Sequence, residues 1–158
     1  MTNALSWTDL SKFKIENIDR VNGINNSYSN LRLFGRSEKE VNLTFYRDRH
    51  SWCPYCQKIW LWLEFKKIPY KVKKINMYCY GKKETWYLNK VSSGKLPAIE
   101  FNGKIITESD SIITFLERKF GALGSSLFSN NMREKRNLER EIFRSWCNWL
   151  CRSSFSYL

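Results

Sequence analysis

Val41-Asn42-Leu43-Thr44-Phe45-Tyr46 leads through a short loop into Cys53-Pro54-Tyr55-Cys56, an apolar-rich run to about Lys67, and then Tyr70-Lys71-Val72-Lys73-Lys74-Ile75. The first stretch alternates apolar with polar residues and is rich in β-formers, so it reads as a strand. Pro54 suits the first turn of a helix, where its missing N–H is harmless. Ile59, Trp60 and Leu63, with Trp62 at the margin, give that helix an apolar stripe, and Pro69 closes it. The second alternating run reads as another strand. A strand, a crossover helix and a second strand make a right-handed parallel βαβ unit.

Working outward, Lys83 to Leu88 reads as a short helix and Ser93-Gly94-Lys95-Leu96-Pro97 as a loop. Ala98 to Phe101 and Lys104 to Thr107 flank Asn102-Gly103, the strongest short hairpin signal. Glu108-Ser109-Asp110 opens a helix through about Phe120, with Ile112, Ile113, Phe115 and Leu116 as its core face, and Gly121 and Gly124 follow it. The pattern predicts a thioredoxin-like α/β domain: a four-stranded mixed sheet with flanking helices over residues 41–124. Residues 1–40, with weak periodicity and a candidate short strand at Leu31 to Phe34, read as an N-terminal extension. Residues 125–158 carry a helix from about Met132 to Cys151 with Leu138, Ile142, Trp146, Trp149 and Leu150 on one face. One helix cannot bury such a stripe by itself.

The chain has 158 residues, a formal net charge of +12 and 16% aromatic residues, including seven Trp, which places it among globular chains rather than disordered ones. No run is apolar enough for a membrane helix. Asp9, Lys12, Lys14 and Glu16 break any secretory signal, so a soluble, cytoplasmic protein is expected. Residues 1–40 hold six basic and five acidic side chains, so the positive excess belongs to the rest. It suits nucleic acid, an acidic protein, an anionic small molecule or simple solubility, and no nucleic-acid motif accompanies it.

The five cysteines are Cys53, Cys56, Cys79, Cys147 and Cys151, and an odd count without an export signal argues against a disulfide framework. Cys53 falls at a helix N-cap, where free N–H groups and the helix dipole stabilise a thiolate, so it is the expected nucleophile. Cys56, three residues further in, is placed to resolve a mixed disulfide. Two packed, inert cysteines are the bland alternative. Zinc would need a second ligand pair, which Cys147 and Cys151, four apart, do not resemble, so no metal is expected. In this topology Leu96-Pro97 precedes the third strand and faces the thiol, and a cis bond there would turn the Leu96 backbone outward, ready to pair with a peptide-like ligand. Glu108 and Ser109 at a helix start suit an amino-acid head group, or plain N-capping. His50, three residues before Cys53, is either a thiolate partner or a surface group.

Phe45-Tyr46, Cys53-Pro54-Tyr55-Cys56, Leu96-Pro97-Ala98-Ile99 and Glu108-Ser109-Asp110 together resemble the N-terminal, glutathione-binding domain of glutathione transferases, in the omega-like and dehydroascorbate-reductase-like branch, and glutaredoxins. Arg20-Val21-Asn22-Gly23 and Phe143-Arg144-Ser145-Trp146-Cys147 resemble a cyanobacterial and plastid group of such proteins, for which a plastid stroma is the matching location in an alga or plant. The resemblance implies a glutathione-dependent thiol transferase or disulfide reductase, with glutathione as co-substrate and a small-molecule or protein disulfide as second substrate. It implies that Cys53 forms the mixed disulfide, Leu96 pairs with the cysteinyl backbone of glutathione, Glu108 and Ser109 hold its γ-glutamyl end, and Lys83 meets its glycine carboxylate. Lys95 adds charge where an anionic tripeptide would lie. The branch usually has no cysteine at the position of Cys56, which opens a dithiol route here. Only the first helix of the family's helical second domain is represented, so a homodimer or a C-terminal-domain partner is expected to cover it. A non-catalytic binding or scaffold module is the rival reading.

Overall fold

The computed structural model describes residues 4–14, 18–124 and 130–151, in two compact units that meet within a helix, at Ile112 and Ile113. In the first unit a five-residue helix, α1 (Trp7–Ser11), is followed by β1 (Leu31–Arg32), β2 (Leu43–Asp48), α2 (Pro54–Lys66), β3 (Tyr70–Ile75), α3 (Thr85–Lys90), β4 (Ala98–Phe101) and β5 (Lys104–Thr107). α4 (Ser109–Phe120) begins in the first unit and ends in the second, which also holds α5 (Asn130–Cys151). Among the described residues no helix is long and apolar enough to cross a membrane.

The sheet runs in the order β1-β3-β2-β4-β5, with β2 and β3 parallel and the other pairs antiparallel. The βαβ unit is therefore present, and Asn102 and Gly103, both with positive φ, turn the hairpin. The sheet has five strands where four were expected. The fifth, β1, comes from the N-terminal stretch and pairs Leu31 with Lys71 and Arg32 with Tyr70.

One side chain explains that addition. Arg32, 2% exposed, forms a fork on Glu64 through Nε (3.0 Å) and Nη2 (2.9 Å), and also donates to the carbonyls of Arg20 and Gly23 (both 2.8 Å). Tyr70 donates its hydroxyl to the same Glu64 at 2.7 Å. A buried guanidinium is tolerable when its donors are filled in this way.

β2 starts two residues later than its apolar alternation suggested. Val41 instead ends a 3-10 turn, Glu38–Glu40, fixed by a Ser37–Glu40 capping box. At its far end β2 keeps two charged residues, Arg47 and Asp48, fully inside. Similarly, α3 begins at Thr85 rather than Lys83, because Glu84 precedes it as N-cap with its carboxylate on the Asn76 N–H and on Arg49.

Each face of the sheet has its own core, since side chains alternate along a strand. Tyr46, Ile75, Tyr87, Val91 and Ala98 cluster together. On the opposite face Phe45 meets Tyr70 edge-on at 6.2 Å, and the Arg47 guanidinium lies 4.4 Å over the Trp60 ring of α2. Ile59 and Leu63 are fully buried, whereas Leu61 and Phe65 of the same helix face solvent. In the second unit, α5 exposes Leu138, Ile142, Trp146, Trp149 and Leu150.

Replacing Arg32 by Met should leave the Glu64 carboxylate facing a lost partner and untie the N-terminal stretch. Urea unfolding should show a loss of about 3 kcal/mol, as for other buried pairs broken from one side. A change within 0.5 kcal/mol would mean that β1 is not held by this contact.

Candidate functional site

The site begins with a buried acid. The Asp48 side chain accepts the backbone N–H of His50 (3.1 Å) through one oxygen, and those of Trp52 and Cys53 (3.1 Å to the latter) through the other. Its neighbour Arg47 donates to the Asp48 carbonyl (2.7 Å), to Ser51 Oγ (2.6 Å) and to the Ser27 carbonyl (2.7 Å). These bonds close the loop after β2, in which Ser51 takes a left-handed φ of 65°. Gln57 reaches back from α2 to the Ser51 carbonyl at 2.8 Å.

The loop delivers Cys53 to the N-cap of α2 with Pro54 in its first turn. The Cys53 thiol is pulled down to about 6 by the Cys56 thiol, which donates to it, while burial acts in the opposite direction. The backbone N–H groups of Cys56 and Tyr55 lower it further, and the Asp48 charge opposes them. Cys56, 2% exposed, is pushed up by that same hydrogen bond and by burial. One thiol is thus poised as a thiolate and the other held as its proton donor. His50 is exposed and stacks on Trp52 with ring centres 5.2 Å apart.

Cys53 opens onto a cleft of about 640 Å³. Lys83, Lys95, Leu96, Pro97, Glu108 and Ser109 all line it, and Cys56 lies outside its lining. The Leu96-Pro97 bond is cis. Among the described residues no backbone hydrogen bond engages Leu96. The preceding loop is held by the Tyr87 hydroxyl, which donates to the Lys95 carbonyl at 2.7 Å. Gly94, at φ 60°, lies where an added Cβ would come within 3.0 Å of Leu88 and 3.2 Å of the Tyr78 hydroxyl.

On the far wall, Glu108 has a left-handed φ of 66°, and its carbonyl accepts the Ile112 N–H, so Ser109 begins α4 directly beside the cleft. The Glu108 carboxylate meets Lys95 at 3.3 Å in an exposed pair, worth little in water and easily exchanged for a ligand's ammonium. Asp110 is tied to Lys58 of α2 at 3.0 Å. Lys83 donates to the Asn76 carbonyl at 2.8 Å and lies 4.8 Å over the Tyr78 ring, with burial lowering its pKa.

Sequence reasoning missed Asp48, which builds the loop. The available signal was an acid at the end of a strand otherwise destined for the core, five residues before the thiol. It also missed Met77, Tyr78 and Cys79, which line the cleft from a 3-10 turn after β3.

A parallel βαβ unit closed by an antiparallel hairpin, a thiolate at the N-cap of its crossover helix and a cis-proline before β4 define a thioredoxin-like thiol protein. Residues 52–119, somewhat under half of the chain, match the model of the "Glutathione S-transferase, N-terminal domain". Among curated relatives, glutathione S-transferase DHAR2 of Arabidopsis thaliana is 36% identical over 87 residues, 48% of this chain and 39% of that protein. Glutathione S-transferase L3 of the same plant is 36% identical over 93 residues, 58% and 38% of the two chains. The chain thus spans less than half the length of these relatives. Among solved structures, the trimeric glutathione transferase TDR1 of Leishmania superposes with a TM-score of 0.53 at 18% identity, covering 63% of this chain and 22% of that one. A glutathione transferase homologue of Drosophila mojavensis with bound glutathione gives 0.50 at 21%, covering 68% and 53%. Both likenesses concern the fold.

Alkylation of Cys53 by iodoacetamide should follow thiolate content, with a midpoint at about pH 6. In Cys56→Ala the midpoint should move up towards the ordinary thiol value of about 8.5. Cys56→Ser keeps a donor and should shift it less. An unchanged midpoint in the Ala variant would show that Cys56 is not the stabilising donor. The sign for stability follows from the lowered pKa. The Cys53 contribution is complete above about pH 8.5 and is lost as pH falls through about 6.

Proposed function

We propose that this domain binds glutathione in the cleft and exchanges thiol and disulfide through Cys53, as a glutathione-dependent thiol transferase or disulfide reductase. The observation that carries this reading is the Cys53 thiolate facing a cleft that also presents the Leu96 backbone, Lys83, Lys95 and the start of α4. The Leu96 N–H and carbonyl suit the cysteinyl backbone of glutathione, Glu108 and Ser109 its γ-glutamyl end, and Lys83 and Lys95 its carboxylates.

Chemically, the Cys53 thiolate attacks the sulfur of a glutathione mixed disulfide, forming a Cys53–glutathione bond and releasing the substrate thiolate. A second glutathione thiolate then attacks the glutathionyl sulfur, giving oxidised glutathione and regenerating Cys53. At pH 7 a thiol with a pKa of about 6 is ~90% ionised, against ~3% for an ordinary one. Intrinsic nucleophilicity falls with pKa, so the net gain in attack is only about twofold to threefold. The larger benefit falls on release, because a low-pKa thiolate is the better leaving group. Cys56, protonated and buried, acts here as the positioning donor, and glutathione does the resolving. Once Cys53 is in a disulfide its charge is gone, and with it part of what keeps the Cys56 proton in place, but burial still disfavours the Cys56 thiolate, so a dithiol step is the minor branch.

The second substrate would be a small-molecule or protein disulfide. α5, with its exposed apolar stripe, is read as the opening helix of a helical second domain.

The protein incubated with oxidised glutathione should carry one glutathione adduct on Cys53, located by peptide mass spectrometry, and Cys53→Ser should carry none there. Cys56→Ala should retain glutathione-dependent reduction of a mixed disulfide, with its pH profile moved upward. Adducts confined to Cys79 or Cys147 would sink the assignment. A Cys53 titrating near 8.5 with no glutathione affinity would leave a binding module instead.

A further inference from the structure

Away from the cleft, the first unit gathers three cations, Arg20, Arg47 and Lys74, that form no ion pair among the described residues. Arg47 of β2 and Lys74 of β3 are register partners on adjacent parallel strands, so their side chains leave the same face side by side. Like charges directly opposite on a sheet repel. Arg47 is buried, and its hydrogen bonds go to neutral acceptors, the Asp48 and Ser27 carbonyls and Ser51 Oγ, with the Trp60 ring beneath its guanidinium; the Asp48 carboxylate attracts it without forming an ion pair.

The Ser27 contact ties Arg47 to a turn, closed by Asn26 and Ser29, that carries Tyr28. Two further cations share that exposed ring, with Arg20 Cζ 5.6 Å and Lys74 Nζ 6.0 Å from its centre. Among the described residues neither Arg20 nor Lys74 lies within ion-pair distance of a carboxylate. The acids nearby are committed elsewhere: Asp19 to the Val21 and Asn22 amides, Asp48 to the thiol loop, and Glu84 to Arg49 and the Asn76 amide. Burial and then Arg47, Arg20 and Arg49 lower the Lys74 pKa, which shows the cations acting on one another.

Repulsion of this kind is offset when a multiply charged anion binds among the cations. The position also fits, because open α/β sheets bind ligands outside the carboxyl ends of parallel strands, and Arg47 and Lys74 stand at those ends of β2 and β3. We propose that Arg20, Lys74 and Arg47, gathered about the Tyr28 turn, form a binding site for a compact, multiply charged anion of the phosphate class. Arg20 supplies the planar fork that phosphate oxygens match, Lys74 a point charge, and Arg47 a fixed charge beneath. None of these residues lines the glutathione cleft, so the site is separate from it.

The test uses tripolyphosphate, followed by calorimetry at constant ionic strength. Wild type should bind one equivalent. Arg20→Ala with Lys74→Gln should weaken binding about tenfold or more, the loss expected for charge-assisted hydrogen bonds. Without the anion this variant should melt no lower than wild type, since repulsion has been removed. Lys14→Ala with Lys104→Ala removes the same charge elsewhere and should bind within about twofold of wild type. If the double variant at the site is not folded by circular dichroism, Lys74→Gln alone takes its place, with a weakening of at least threefold expected. Equal weakening in the Lys14/Lys104 control would mean that net charge alone attracts the anion, and would overturn the site. So would wild-type affinity in the site variants, or no binding to wild type at about 1 mM tripolyphosphate.

Discussion

A single buried carboxylate sets the chemistry of this fold. Asp48 stands at the end of β2 with both oxygens taken by the amides of the loop that follows, and these bonds give the loop its shape. Placing an ion there is unfavourable unless its hydrogen bonds are filled, and the loop amides fill them. The same charge opposes thiolate formation at Cys53, so Asp48 contributes geometry at some electrostatic cost to the nucleophile. The Cys56 donor and the N–H groups of the helix start outweigh it. Arg47 holds the same loop through Ser51 from the opposite face of the sheet. Consecutive residues of one strand therefore grip the loop from both sides.

Much of this was legible in the chain. The parallel unit followed from two alternating runs on either side of a helical one, the hairpin from Asn102-Gly103, and the N-cap place of Cys53 from a cysteine set just before a proline at a helix start. The residues lining the cleft also fell where the topology placed them, including the cis bond at Leu96-Pro97. These readings worked because each rests on local backbone chemistry or on strand order.

What escaped rests on long-range pairing of polar groups. Nothing near Arg32 announces that Glu64, thirty-two residues later, will fill its fork and thereby recruit β1 to the sheet. Asp48 fell within the short loop expected after the first strand; acids seldom lie inside, and only the loop amides around it make its buried position tolerable. The two-residue shift of β2 has a local cause at one end and a buried one at the other. Alternation located the apolar core of the strand, while its ends were decided by a capping box at Ser37 and by two buried ions.

The brevity of β1 has a further consequence. It covers β3 only around Tyr70 and Lys71, with one more bond from the Val72 N–H to the Asn30 carbonyl, so the Lys73 to Ile75 stretch of that edge is bare among the described residues. An uncovered edge invites a strand from another molecule, and lysine is the residue that most often discourages it, because a second strand would have to desolvate its charge. β3 carries Lys71, Lys73 and Lys74 along that edge. They give the sheet an open side that resists self-association, a task for which the chain's excess of basic residues is well suited and which requires no ligand at all.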